Sequence, residues 1–198
     1  RTLMELRGIP CIELQDIPST KKQIIVSRTF SKKVTDKTSL HEAISDYAAR
    51  AAEKLRRENQ YCVMVSVFIR TNPFRSQDRQ YSNSANYQFN EPTNDTREII
   101  SAAKNIISKI YKKNTNFIKA GIMLSNFFDE GVYQTDLFTS WKRQPKNNML
   151  MKTLDKINTN DKGRIIFAAQ GIKKYWSMKR KLHSPRYTTN WNDLPIIN

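Results

Sequence analysis

Long apolar runs are missing: nothing in the 198 residues approaches the roughly 20 that a membrane-spanning helix needs. The first residues, RTLMELRGIP, hold no apolar stretch of the kind a secretory signal carries. Opening on Arg rather than Met, they read as the edge of a piece cut from something longer. Cysteine is scarce. Cys11 and Cys62 lie far apart, which excludes a disulfide framework and a metal-ligand spacing and makes a reducing, cytoplasmic compartment the default. Cys62, inside an apolar pattern, reads as a small buried hydrophobe. The five glycines are dispersed, so no Gly-rich phosphate loop exists. Acidic residues are few and scattered. Two-metal chemistry needs two or three carboxylates converging on one point, yet Asp129–Glu130 is the only adjacent pair, in an apparent loop. His41 and His183 are too distant in sequence to argue as a pair. The chain alone is therefore expected not to be an enzyme, with no catalytic residue, no metal site and no cofactor.

Positive charge is what the chain has in excess. Its 34 Lys and Arg stand against 18 Asp and Glu, a net +16. A partner dense in negative charge follows, and nucleic acid is the commonest one. A polybasic membrane helix is disfavoured, because the cations fall among strands and loops rather than along one amphipathic helix. The charge is uneven: +10 falls on residues 139–198 and +8 on residues 20–130.

Periodicity gives an element order. Residues 1–19, punctuated by Gly8, Pro10 and Pro18, read as a connector with a short helical start at Leu3, Met4 and Leu6. Residues 23–30 (QIIVSRTF) read as a strand. A helix follows, capped by Ser39 with Glu42 as its box partner. Its apolar stripe is Leu40, Ile44, Tyr47/Ala48, Ala51 and Leu55, and its solvent face is Asp46, Arg50, Glu53, Lys54 and Arg57. Residues 61–70 form the strongest strand, with Val63, Val65, Val67 and Ile69 on one face and Met64, Ser66, Phe68 and Arg70 on the other. Residues 82–89 form a third strand with a uniformly polar face of Ser82, Ser84, Asn86 and Gln88. A helix starting near Asp95, with Glu98 as box partner, buries Ile99, Ile100, Ala103, Ile106, Ile107 and Ile110. Residues 117–126 close the series as a strand.

The order β-α-β-β-α-β predicts an α+β fold: a four-stranded antiparallel sheet with two helices on one face. The other sheet face is then free, and being polar and partly basic it is a candidate nucleic-acid platform. The expected organisation is a connector (1–19), the sheet domain (20–128), a linker (129–147) and a small, mixed, basic C-terminal extension (148–198). Within the extension, residues 148–157 suggest a short helix and residues 164–168 a short strand.

Two stretches stand apart. Gln134-Thr135-Asp136-Leu137-Phe138 puts an adjacent Leu-Phe pair in a linker, where apolar side chains have no core to join. Leu137 and Phe138 suit a greasy pocket on a partner, while the Gln134 amide sets register. The pattern resembles the bacterial sliding-clamp-binding motif Gln-x-x-Leu-Phe, with Gln134, Asp136, Leu137 and Phe138 as clamp-binding residues. Thr135 stands where strong motifs often carry Leu, a departure that bears on affinity more than identity. The tail (Lys173, Lys174, Tyr175, Trp176, Lys179, Arg180, Lys181, Arg186, Tyr187 and Trp191) mixes cations with stacking surfaces, as single-strand binding sites do. Alternatively, Trp176 and Trp191 anchor a small second core with Met178 and Leu182.

The strings SRTF (27–30), YAARAAEKLR (47–56), QYC (60–62), NPF (72–74), KAGIML (119–124), QTDLF (134–138) and QGIKKYWSMKRKLHSPRYTTNWNDLP (170–195) resemble the C-terminal third of the UmuC branch of the Y-family translesion DNA polymerases. The resemblance covers essentially the whole chain. It implies a little finger domain at residues 20–128, which grips template-primer duplex DNA through phosphate contacts, with residues 1–19 as the connector from a thumb. It further implies a catalytic palm using Mg outside this chain, and the processed UmuD dimer and RecA as partners. On this reading the phosphates are met by Ser27, Arg28, Thr29, Lys32, Lys33, Ser66, Arg70 and Arg75. Competing readings are an RNA-recognition-type module, which shares the element order but whose stacking signature is absent here, and a tail that binds proteins only.

Overall fold

The computed structural model describes residues 1–12, 20–75, 77–132, 145–159, 164–178 and 184–194. A short exposed helix α1 (Thr2–Leu6) precedes β1 (Gln23–Val34), α2 (Lys37–Arg57), β2 (Gln60–Arg70), β3 (Ser82–Thr93), α3 (Thr96–Ile110), β4 (Phe117–Asp129) and α4 (Pro145–Thr159). Two 3-10 turns follow, Ala168–Gln170 and Trp191–Asp193. The β-α-β-β-α-β order is as expected from the sequence. The strands form one antiparallel sheet in the order β1-β4-β2-β3. None of the helices among the described residues is long and apolar enough to cross a membrane.

The core lies between the sheet and α2 and α3, which pack on each other. Buried α2 residues recur at three-to-four spacing: Leu40, Ala43, Ile44, Tyr47, Ala48, Ala51, Ala52 and Leu55. Its small alanines let the helix axis approach the strands. The stripe of α3 is almost wholly isoleucine and alanine. Isoleucine is not a preferred helix residue, but each one fully buried stabilises by about 1.5–3 kcal/mol, which outweighs the propensity deficit. Opposite them, Val65, Val67, Ile69, Ala120, Ile122 and Leu124 are fully buried. Cys62 is buried too, and burial pushes its thiol up to about 12, so it packs as an inert apolar group.

Four local expectations are corrected. The cap of α2 is Asp36, whose carboxylate accepts from the Ser39 amide at 2.7 Å, so the helix starts earlier than a Ser39 cap implies. Asp95 does cap α3, accepting from the Arg97 amide at 2.8 Å, but its own amide donates to Thr93 Oγ1 rather than to Glu98. Residues 164–167 are extended without joining the sheet and run into the first 3-10 turn, so no strand forms there. The small second core is also absent among the described residues. Trp176 enters the main core, edge-on to Tyr47 at 5.6 Å and Phe30 at 6.3 Å, whereas Trp191 is 87% exposed.

A fifth correction concerns Asp46, expected on the solvent face of α2 and in fact fully buried. The extension covers the Asp46 end of that face, while Lys54 and Arg57 stay exposed. Lys174 Nζ and Gln170 Nε2 reach Asp46 Oδ1 at 2.5 and 3.1 Å, and Arg50 Nε lies 2.9 Å from Oδ2. α4 is tied down separately. Arg56 holds Asp155 in a two-pronged pair at 2.6 and 2.7 Å while donating to the Asn94 carbonyl and Thr96 Oγ1.

Candidate nucleic-acid interface

Because side chains alternate along a strand, the face turned away from α2 and α3 can be read in rows across the sheet. At one end, Thr29, Lys119, Arg70 and Ser82 lie side by side from β1 to β3. Next come Ser27, Gly121, Phe68 and Ser84, then Ile25, Met123, Ser66 and Asn86, then Gln23, Ser125, Met64 and Gln88. Among the described residues no helix covers these rows. Ser82, Ser84, Asn86 and Gln88 of β3 are exposed, and Ser82, Asn83 and Ser84 line a shallow open depression with Phe68, Arg70 and Lys119.

The face is therefore cationic at one end and mixed elsewhere, with Ile25, Met64, Phe68 and Met123 forming an apolar band through the middle. Gly121 is required where that band crosses β4. A Cβ there would stand 2.4 Å from the Phe68 ring and 2.5 Å from Ser27 Cβ. The missing side chain leaves the room that the Phe68 ring occupies beside β4.

The candidate phosphate contacts divide by position. Ser27, Thr29, Ser66 and Arg70 sit on the open face, although Ser66 is buried among its neighbours. Arg28 falls at the opposite parity, on the sheet edge, close enough to Tyr47 to bear on its phenol, which burial raises well above the usual value. Lys32 is exposed beyond the regular ladder. Lys33 is engaged, its Nζ lying 2.7 Å from Asp78 Oδ2. The hydrogen bonds from Lys33 and Asn116 hold the Asp78 carboxyl below the ordinary carboxylate range and fasten the β2–β3 loop to β1. Arg75 lies in that loop, exposed, with its carbonyl accepting from Gln80 at 2.7 Å. Gln134, Asp136, Leu137 and Phe138 fall outside the described residues. Lys119, not among the candidates, lies between Thr29 and Arg70. Its parity in β4, opposite to that of Ala120, Ile122 and Leu124, is the sequence signal that marks it.

Helices on one side, a free face on the other and a cationic end define an open-faced α+β sandwich suited to a long polyanion. Residues 21–137 match the impB/mucB/samB family C-terminal domain, and residues 148–197 match a domain of unknown function, DUF4113. The chain belongs to the impB/mucB/samB family. It is 45% identical over 195 residues to Protein UmuC of Salmonella typhimurium, covering 98% of this chain and 46% of that protein. To Protein ImpB of Salmonella typhimurium it is 43% identical over 196 residues, 99% of this chain and 46% of the relative. DNA polymerase IV of Clostridium acetobutylicum is 27% identical over 146 residues, 74% of this chain and 35% of the relative. The chain thus spans about half the length of the curated relatives it matches. A solved complex of a beta-clamp processivity factor with the little finger domain of PolIV aligns at TM-score 0.42 and 11% identity, covering 59% of this chain and 99% of that one.

Proposed function

We propose that this chain is the DNA-gripping and clamp-tethering portion of an error-prone translesion DNA polymerase that serves DNA repair and SOS mutagenesis. The observation that carries the grip is the Thr29–Lys119–Arg70–Ser82 row at the end of an uncovered sheet face on a chain of net charge +16. Two cations flanked by hydroxyls fit a phosphate backbone. Such contacts hold a duplex without reading its sequence, and Ser27, Arg28, Lys32 and Arg75 extend them along the β1 edge and the β2–β3 loop. Similarity to Protein UmuC and to a DNA polymerase IV supports the polymerase assignment. Nucleotide transfer, with Mg, belongs on this reading to the part of the relatives' length that this chain does not span. The motif at Gln134, Asp136, Leu137 and Phe138 tethers the whole to a sliding clamp, and the processed UmuD dimer and RecA complete the set of partners.

The test is fluorescence anisotropy with several duplex sequences across a salt series. Affinity should fall steeply with salt and vary little with sequence. Arg70→Ala with Lys119→Ala should flatten the log–log salt slope by about 2, near one unit per lost phosphate contact. A flat salt response in the parent chain defeats the grip. In the same preparation, Leu137→Ala with Phe138→Ala should abolish pull-down by the sliding clamp, and undiminished recovery rejects the tether. Phe68, an aromatic on the open face of a central strand, favours a second reading as a single-stranded RNA binder. Tighter binding to single-stranded RNA than to duplex DNA would put that reading first.

A further inference from the structure

The segment at residues 170–178 is fixed at three positions. Gln170 and Lys174 bond Asp46, and Trp176 fills the core between Phe30 and Tyr47. Its carbonyl accepts from the Ser31 amide of β1 at 3.1 Å. A tight turn (Tyr175 amide to Lys173 carbonyl, Ser177 amide to Lys174 carbonyl) turns the residues between these anchors outward. Lys173 is exposed, and Tyr175 is 76% exposed although both neighbours are held. The Ser31–Trp176 bond sets this outward pair beside the stretch of β1 that carries Lys32, at the edge of the sheet whose open face holds Arg70 and Lys119.

A lone exposed tyrosine is ordinary. This one is presented on backbone immobilised from both sides, next to Lys173, in the region that carries +10 of the chain's charge. A ring whose backbone is already ordered loses little further freedom when it stacks, and flanking cations pair the phosphates of the stacked nucleotide. We propose that Tyr175 and Lys173 form a station for single-stranded DNA, the ring stacking on an unpaired base and the ammonium pairing its phosphate, where a strand leaves the duplex held by the sheet. The inference rests on the DNA-grip reading and adds a contact that duplex alone does not use. It gives the extension a part in binding as well as packing.

Anisotropy on the 198-residue chain separates the two. The probes are a blunt duplex and the same duplex with a single-stranded extension of about ten nucleotides, within the range one such site covers. The parent should bind the extended probe more tightly. Tyr175→Ala should lower affinity for it about tenfold, as loss of one stacked base does, and leave the blunt duplex unchanged. Tyr175→Phe should retain the preference, and an unchanged melting temperature shows that the Trp176 anchor is intact. An extended-probe preference that survives Tyr175→Ala overturns the station, as does an equal loss on both probes. Failure of the parent to bind the blunt duplex instead overturns the grip.

Discussion

The sheet unit and the described parts of the C-terminal extension are held in place by different means. The sheet unit has a continuous core in which two helices and four strands bury each other's apolar faces. The extension relies on discrete anchors: Asp155 in the fork of Arg56, Lys174 and Gln170 on Asp46, and Trp176 inserted into the neighbour's core. Among its other described apolar groups Met151 is buried and Phe167 packs against the core, while Ile172, Tyr175 and Trp191 remain mostly exposed. A core distributes its stability over many contacts and fails as a whole, whereas a segment held at points can come away without unfolding what it is fastened to.

Breaking each region at an aromatic should make the contrast plain. Phe117→Ala, at a fully buried position, should cost about 4 kcal/mol. Chemical denaturation should then show one cooperative transition shifted for the whole sheet unit. Trp176→Ala should cost about 3 kcal/mol, spent on the docking of the extension. Hydrogen exchange should rise at residues 164–178 while β2 and β4 stay protected; equal loss in both regions would mean that they fold as a single unit.

Asp155→Ala is the next largest. It strands the nearly buried Arg56 guanidinium, whose remaining partners are the Asn94 carbonyl and Thr96. Partial exposure of Asp155 limits the cost to about 2 kcal/mol, below that of a fully buried pair. Limited proteolysis within α4 should accelerate, with α2 and α3 unaffected.

The smallest expected effect lies between the helices of the sheet unit. Burial and the nearby Lys37 and Lys104 lower the pKa of His41, whose Nε2 faces Ser108 Oγ at 3.3 Å. The unfolded chain then binds the proton more readily, so the contribution to stability is complete above about pH 6.5 and is lost as pH falls through the lower folded value. Thermal melts between about pH 7.5 and 5.5 should show a modest loss that His41→Asn removes, with docking of the extension unchanged.

The strands and helices of the sheet unit were legible because each carries a clear period over most of its length. Val65, Val67 and Ile69 enter the core as alternation predicts, and the isoleucines of α3 repeat at three and four; at the start of β2 a register shift puts Cys62 in the core rather than Val63. Lys119 was missed as a candidate, although its parity in β4 marks it for the open face. The start of α2 was less so, because Asp36 and Ser39 are both cap-forming residues three apart and only backbone geometry chooses between them. Residues 164–168 look like a strand by composition, but a strand also needs a partner edge, and Phe167 and Ala169 pack against the core instead.

The order of elements, most of the apolar faces they bury, the excess of positive charge and the family strings can all be read along the chain, because they are local or additive properties. Tertiary structure alone decided that Asp46 is buried, that Lys33 is spent on Asp78, and that Trp176 completes the main core while Tyr175 stays outside it. Those outcomes depend on pairs 128 and 45 residues apart, Lys174 with Asp46 and Lys33 with Asp78. Whether a charge faces water or a partner is settled only when the folded backbone brings the partner there.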